Sequence, residues 1–210
     1  MAKEKNATLI KRSVFTENQV IAQILGICSA LAVSNSMRNA LVMGIGVIFT
    51  TGLSSFTLSA LRDYIPHRVR MIIQTLVIAV YVILVDILLQ AYLPGISKQL
   101  GPYVGLIITN CIVMGRAEAY AAQNPPFQAL LDGAFSGVGY TLVLLFVAFI
   151  RELLGFGTIF GFQVMPESFE TWTIMIMAPS AFFIIGALIW FVNARKEKKE
   201  AQEIHKGGKK

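Results

Sequence analysis

Two short apolar segments decide the fold of this chain: Val20-Ile-Ala-Gln-Ile-Leu-Gly-Ile-Cys-Ser-Ala-Leu-Ala-Val33 and Tyr103-Val-Gly-Leu-Ile-Ile-Thr-Asn-Cys-Ile-Val-Met-Gly115. Each contains one of the two cysteines of the chain, Cys28 and Cys111. A membrane-crossing helix needs roughly 20 apolar residues, whereas these segments offer about 11 to 14. Short, interrupted segments at corresponding places in two halves of a membrane protein indicate a site near the bilayer midplane. The two thiols therefore predict a metal or redox centre there.

The composition is that of an integral membrane protein. Of the 210 residues, 55% are hydrophobic and only 14% are charged, against roughly 25% charged in a soluble domain. The net charge of +6 lies mostly in the two tails, which we expect to be solvated and to attract anionic lipid. The basic C-terminal tail lacks aromatic residues, so nucleic-acid binding is not expected. Residues 1–19 show no apolar signal-peptide region and are predicted to form a cytoplasmic tail.

Four further segments are long enough to cross a bilayer, at about 37–61, 69–93, 131–154 and 173–192. With the two cysteine segments they predict an all-α membrane domain of six transmembrane helices over 20–193, followed by a basic tail over 194–210. We divide this domain into two repeats, at about 20–98 and 99–193. The cysteines are 83 positions apart, and Leu61-Arg-Asp63 resembles Ile150-Arg-Glu152 at the corresponding span end. Three crossings per repeat would make the repeats inverted relative to each other.

The basic residues predict the orientation of these spans. With six crossings and a cytoplasmic N-terminus, 15 of the 18 Lys and Arg residues fall on the cytoplasmic side. Only Arg38, Lys98 and Arg151 fall on the other side. Lys and Arg concentrate in cytoplasmic loops of membrane proteins. Both termini are therefore predicted to be cytoplasmic.

The thiols have several possible roles. Free cysteines are often small buried residues that only fill space, and two cysteines could form a disulfide, although both lie within apolar stretches. Thiolates bind zinc, Cu(I) or iron–sulfur clusters, but neither histidine, His67 or His205, lies near a cysteine in the sequence. An iron–sulfur cluster usually has four cysteine ligands. This chain would then need two from another subunit or from a second copy of itself.

Several polar residues interrupt the apolar spans. Asp86 has apolar neighbours on both sides, and an acid inside a membrane is by default functional; the alternative is an acid near the headgroups, bonded to a neighbouring helix. Asp132 is predicted at the start of the fifth element, where capping is the simpler explanation and ion handling the alternative. Arg116 and Glu118 are predicted to pair with each other or with a partner subunit.

Glycines are frequent within the spans, and we expect most of them to allow close helix contacts; they are Gly44, Gly46, Gly52, Gly133, Gly137 and Gly139. The sequence contains no phosphate-binding loop and no dinucleotide-binding glycine motif followed by an acid. The chain is therefore not expected to bind NAD itself.

The segments 25–33 and 104–119 show a family resemblance. They resemble the D subunits of the sodium-translocating NADH:quinone reductases, and the resemblance continues through 96–100, 151–155 and 178–183. The E subunits of the Rnf ferredoxin:NAD oxidoreductases share the cysteine phrases. Ser29 and Ala30 after Cys28, and a short loop after Phe160, favour the reductase family.

The resemblance implies a subunit of a redox-driven sodium pump in the bacterial inner membrane. In that family, cysteines matching Cys28 and Cys111 join two from a homologous E subunit to hold an iron–sulfur centre, expected to be [2Fe-2S], which relays electrons across the bilayer. NAD, flavins and quinone reduction would belong to other subunits of the complex. Acids matching Asp86 and Asp132 would lie on the sodium route. Ser29, Thr109 and Asn110, which lie beside the cysteines, are expected to tune the centre.

Two hypotheses from other functional classes also fit the sequence. Inverted repeats around a midplane site also suit a secondary ion-coupled transporter, with Asp86 as the ligand of the coupling ion. A passive membrane anchor is the third hypothesis, and it leaves the paired cysteines unexplained.

Overall fold

The computed structural model describes residues 25–92, 94–155, 157–159, 162–163 and 177–207. In chain order its elements are α1 (Ile27–Val33), α2 (Met37–Leu61), a 3-10 turn (His67–Val69), α3 (Arg70–Tyr92), α4 (Pro94–Ile108), α5 (Cys111–Arg116), a π-helical turn (Ala117–Ala121), α6 (Pro126–Gly155), the strands β1 (Thr158–Ile159) and β2 (Phe162–Gln163), and α7 (Ala178–Gly207). The strands pair antiparallel in a two-stranded hairpin, a small exception to the all-α prediction.

Among the described residues, four stretches are long and apolar enough to cross a membrane. Three correspond to the predicted spans at 37–61, 69–93 and 131–154, and the fourth is Leu100–Ala121. The apolar part of α7, Pro179–Arg195, is shorter. The multi-pass membrane architecture is thus confirmed, whereas the six-crossing inverted repeat stays a prediction. The predicted tail 1–19 and the start of the predicted span at 173–192 lie outside the described residues.

Two predicted boundaries are wrong for one physical reason. The second cysteine segment was expected to begin at residue 103, but α4, the helix that leads into it, begins at Pro94. The fifth predicted span was expected to begin at residue 131, but α6 begins at Pro126. Proline is tolerated in the first helical turn, where its missing N–H would have no intrahelical acceptor. These prolines therefore open helices instead of marking the loops that precede them.

The helical stretch that contains the second cysteine is consequently longer than the run of apolar residues around Cys111. It was expected to be too short to span, yet Leu100–Ala121 has the length of a full crossing. Its helix is interrupted at Thr109 and Asn110, between α4 and α5. The predicted interruption is therefore present, within a crossing of full length.

The core is built around α2 and α6, which pack closely through small residues. A Cβ on Gly137 would lie 2.8 Å from the Ile48 Cα, and one on Gly133 would lie 2.8 Å from the Thr51 carbonyl oxygen. A Cβ on Gly44 would overlap the Thr141 side chain. Without a hydrophobic drive between membrane helices, such small residues allow the backbones to approach. The expected packing role of these glycines is confirmed.

Buried polar contacts join α1 to the end of α6. Arg151 is only 2% exposed, and its guanidinium donates to Ser34 Oγ at 2.6 Å and to the Leu31 carbonyl at 3.3 Å. The neighbouring Glu152 accepts a hydrogen bond from the Met37 backbone N–H at 2.5 Å. The exit of α1 and the end of α6 therefore lie at the same end of the molecule. These hydrogen bonds hold the short helix that carries Cys28 against the end of α6.

Candidate functional site

Each cysteine lies in the first turn of a short helix that begins just after a residue whose backbone conformation is not helical. Cys28 is the second residue of α1, and the break before it is made by Gly26, whose φ of 81° is left-handed. Cys111 is the first residue of α5, and Asn110 caps that helix because its Oδ1 accepts the Ile112 N–H at 3.1 Å. Glycine and asparagine are the residues that suit these two conformations. Each thiol thus lies in the first turn of a helix whose start is set by the residue type just before it.

The two cysteines line one cavity of about 130 Å³. Five residues singled out from the sequence lie around it, from both predicted repeats: Cys28, Ser29, Thr109, Asn110 and Cys111. Gly26 and Leu106 complete the lining. Both thiols are free and exposed on this single chain, so the fold brings them together at its surface.

A buried hydrogen-bond network lies behind the thiols and crosses between the two predicted repeats. Ser29 Oγ is 2.7 Å from Tyr140 Oη and accepts from Asn110 Nδ2 at 3.3 Å. Ser29 also donates to the Gly26 carbonyl at 3.2 Å. A serine hydroxyl has one proton and two lone pairs, so Tyr140 is the donor to Ser29. The network uses the full hydrogen-bonding capacity of Ser29 and links both cysteine-bearing turns to α6.

Tyr140 was not identified from the sequence. It is 1% exposed, and its phenol reaches the cysteine turns from the middle of α6. A buried tyrosine hydroxyl usually needs a hydrogen-bond partner, and that rule could have marked Tyr140 within its apolar span. It is the fifteenth of the thirty residues of α6, so the cavity lies at half the height of a membrane-spanning helix.

The two thiols provide part of the ligands that a thiolate-bound metal centre needs. Backbone N–H groups in the first turn of a helix have no intrahelical acceptor and stabilise nearby negative charge, and both thiols lie in the first turn of a helix. Within the described part of the chain, no group of three or more His, Cys, Asp or Glu side chains could hold a metal ion. The two thiols thus amount to half of a four-thiolate ligand set.

The acids singled out from the sequence lie elsewhere. The Asp132 carboxylate is 3.5 Å from Arg116 Nη1, and both side chains are almost fully buried. The capping interpretation of Asp132 is wrong, because α6 begins six residues earlier at Pro126. Asp86 is half-buried in α3 and accepts a hydrogen bond from Gln90 at 2.8 Å. Neither acid lines the cysteine cavity.

Arg116 and Glu118 do not pair with each other as expected; each has a different partner. Glu118 Oε2 is 3.2 Å from Arg70 Nε and also accepts from Gln74 Nε2 at 2.8 Å. The side chains of Arg116 and Glu118 thus contact different helices, α6 and α3. The π-helical turn that follows Arg116 is a local widening of the helix of a kind often found near functional sites.

Comparison with known proteins gives a consistent result. A family described as "Rnf-Nqr subunit, membrane protein" matches residues 6–189. A protein of Chlamydia felis is 50% identical over 196 residues, covering 89% of this chain and 92% of its own length. Proteins of Psychromonas ingrahamii and Neisseria gonorrhoeae are 46% and 50% identical, each covering 97% of this chain and 100% of their own length. All three relatives are named as the D subunit of the Na(+)-translocating NADH-quinone reductase.

Proposed function

The chain belongs to the Rnf-Nqr family of membrane-protein subunits, and we propose from this premise that it is the D subunit of a sodium-translocating NADH:quinone reductase. The family match covers most of the chain, and full-length relatives with that name are 46–50% identical to it. The preference for the reductase over the Rnf E subunits agrees with these names. The chain would act as one subunit of a membrane oxidoreductase complex.

We propose that Cys28 and Cys111 hold half of an intramembrane iron–sulfur centre, with two further thiolates supplied by a homologous partner subunit. The observation that carries this proposal is the single cavity lined by both thiols, which are free and exposed on this chain. A centre of the [2Fe-2S] type, when bound there, accepts and gives up one electron. A bilayer core is about 30 Å thick, which is too wide for one fast electron transfer between its faces. An electron carrier near the middle of the bilayer divides that distance.

The chain's own residues would hold this site in place. Asn110 caps the helix of Cys111, and Ser29 joins Asn110 to Tyr140. These bonds fix the two cysteine-bearing turns relative to each other. Ser29 and Asn110 are 3% exposed, so this side of the site excludes water. Thr109 lines the same cavity and is exposed, which leaves its hydroxyl available to a group bound there.

We also propose the finer placement of the subunit. Both termini would lie in the cytoplasm and the chain in the bacterial inner membrane, since Lys and Arg concentrate on one side of the predicted topology. NAD, flavins and quinone would bind to other subunits. Asp86 and Asp132 remain our proposed residues for the sodium route. Asp132 is the more constrained of the two, because its carboxylate already pairs with Arg116.

Iron and acid-labile sulfide, measured in the purified complex, test the proposed centre. We expect Cys28→Ser and Cys111→Ser each to lose the iron of one cluster, about two atoms per complex, together with NADH-driven quinone reduction. Leu106→Val is the matched control, because Leu106 lines the same cavity and carries no ligand atom. Unchanged iron and activity in both serine variants would reduce the cysteines to packing residues and favour the ion-coupled transporter hypothesis.

A further inference from the structure

A second cavity lies between the end of α2 and the start of α3. Its volume is about 260 Å³, and its polar lining is formed by Arg62, Asp63, Arg70 and Gln74. The turn between α2 and α3 connects two helices long enough to cross the membrane, so the cavity lies at a membrane boundary. It is separate from the cysteine cavity and shares no lining residue with it.

The guanidinium of Arg70 is only partly satisfied in this cavity. Its Nε pairs with Glu118 Oε2 at 3.2 Å, and Gln74 donates to the same oxygen at 2.8 Å. Its Nη2 is buried and, among the described residues, has no hydrogen-bond partner. Leaving a buried charged donor without an acceptor is costly. A ligand with a hydrogen-bond acceptor, bound in this cavity, would satisfy the Arg70 Nη2 donor.

The charges around the cavity select the kind of acceptor. Arg62 lies at the rim, 3.4 Å from Asp63, with both side chains more than a third exposed. Two arginines and two acids, Asp63 and Glu118, balance each other, so a singly charged ligand suits the cavity better than a multiply charged one. Arginine binds phosphate oxygens through two N–H groups at once.

We propose that this cavity binds the phosphate oxyanion of a phosphodiester, the singly charged group of a phospholipid headgroup. The apolar side chains next to Arg70 agree with a lipid source. Met71 and Ile72 are 65% and 70% exposed and would lie against acyl chains below a headgroup held by Arg70. Inorganic phosphate in its singly charged H2PO4− form presents the same oxygens and charge, and it is the alternative source of this group.

Native mass spectrometry of the detergent-purified complex tests the proposal. The complex is stripped of lipid and titrated with phosphatidylglycerol, and the lipid retained by this subunit is counted after its release. Arg70→Gln is expected to weaken binding about tenfold or more, because it removes a charge-assisted hydrogen bond. Arg68→Gln is the matched control, since it lies in the same turn and makes the same charge change without lining the cavity.

Arg62→Gln provides an independent arm that leaves the Arg70–Glu118 pair intact. It is also expected to weaken binding, so the proposal stays testable if Arg70→Gln fails to assemble. A parallel titration with inorganic phosphate identifies the source: competition with the lipid, dependent on Arg70 or Arg62, would indicate free phosphate at the same oxyanion site. Equal retention in all three variants, or an equal loss in Arg68→Gln, would overturn the proposal.

Discussion

Replacing Gly26 by alanine tests how the cysteine site is built. Gly26 precedes the helix of Cys28 with a φ of 81°, a conformation that residues with a Cβ rarely adopt. A Cβ at this position would lie 2.5 Å from Ile112 Cδ1 and 3.1 Å from Tyr140 Cε2. Ile112 follows Cys111 directly. The added methyl group would therefore displace the Ile112 side chain and strain the contact between the two turns that carry the thiols.

The size of the effect follows from two separate costs. The left-handed conformation costs a non-glycine residue about 1–2 kcal/mol. Overpacking a filled site costs about 1–3 kcal/mol more. Together they predict that Gly26→Ala destabilises the folded subunit by about 2–5 kcal/mol. A displacement of Cys28 from Cys111 should accompany this loss and lower the iron content of the complex.

Thermal stability of the detergent-purified complex, together with its iron content, measures this effect. Gly95→Ala is the matched control, because a Cβ at Gly95 meets no atom within 4 Å. The double variant Gly26→Ala/Ile112→Val removes the Cδ1 atom that clashes. It should recover part of the lost stability, while the backbone cost at residue 26 remains. The interaction free energy of the double-mutant cycle should therefore be favourable.

The reasoning would be refuted by either of two results. If Gly26→Ala matched Gly95→Ala in both stability and iron content, the left-handed turn would not hold the site together. If Ile112→Val gave no recovery in the Gly26→Ala background, the two cysteine turns would not be in contact there. The first result concerns the conformation of one turn, and the second concerns the packing between the two turns.

Two further perturbations test the interior of the helix bundle. Arg116→Gln or Asp132→Asn alone should destabilise the fold by about 3–5 kcal/mol, because each removes one partner of a buried ion pair, whereas the double variant should cost less than the sum of the two. Strictly additive losses in thermal stability would contradict this pairing. Gly137→Ala should reduce the yield of assembled complex, since its Cβ would lie 2.8 Å from the Ile48 Cα, while Gly186→Ala, with open space around it, should not. Equal yields would show that α2 and α6 can separate at little cost.

The cysteine cavity could be anticipated from the sequence because its signals are local. Each thiol follows a residue that favours a break, Gly26 or Asn110, within an apolar stretch. The spacing of the cysteines then placed both thiols in corresponding parts of the two predicted halves, although the second segment proved to be part of a crossing of full length. No long-range contact had to be known for that prediction.

The partners of the polar side chains could not be anticipated, because they depend on contacts between distant segments. The pairing of Arg116 with Asp132 requires the second cysteine segment to pack against α6. The bond from Tyr140 to Ser29 joins residues 111 positions apart. Helix starts were misjudged at Pro94 and Pro126 because proline is compatible with both a loop and a first helical turn. Local composition cannot separate those two cases.

The most direct test of the account is an experimental density map of the assembled complex at the cavity lined by Cys28 and Cys111. The account predicts strong density for an iron–sulfur centre that joins these two thiolates to two cysteines of a homologous partner subunit, at half the height of the membrane domain. Thiols that contact only lipid or protein side chains, with no such density between the subunits in an active complex, would contradict it.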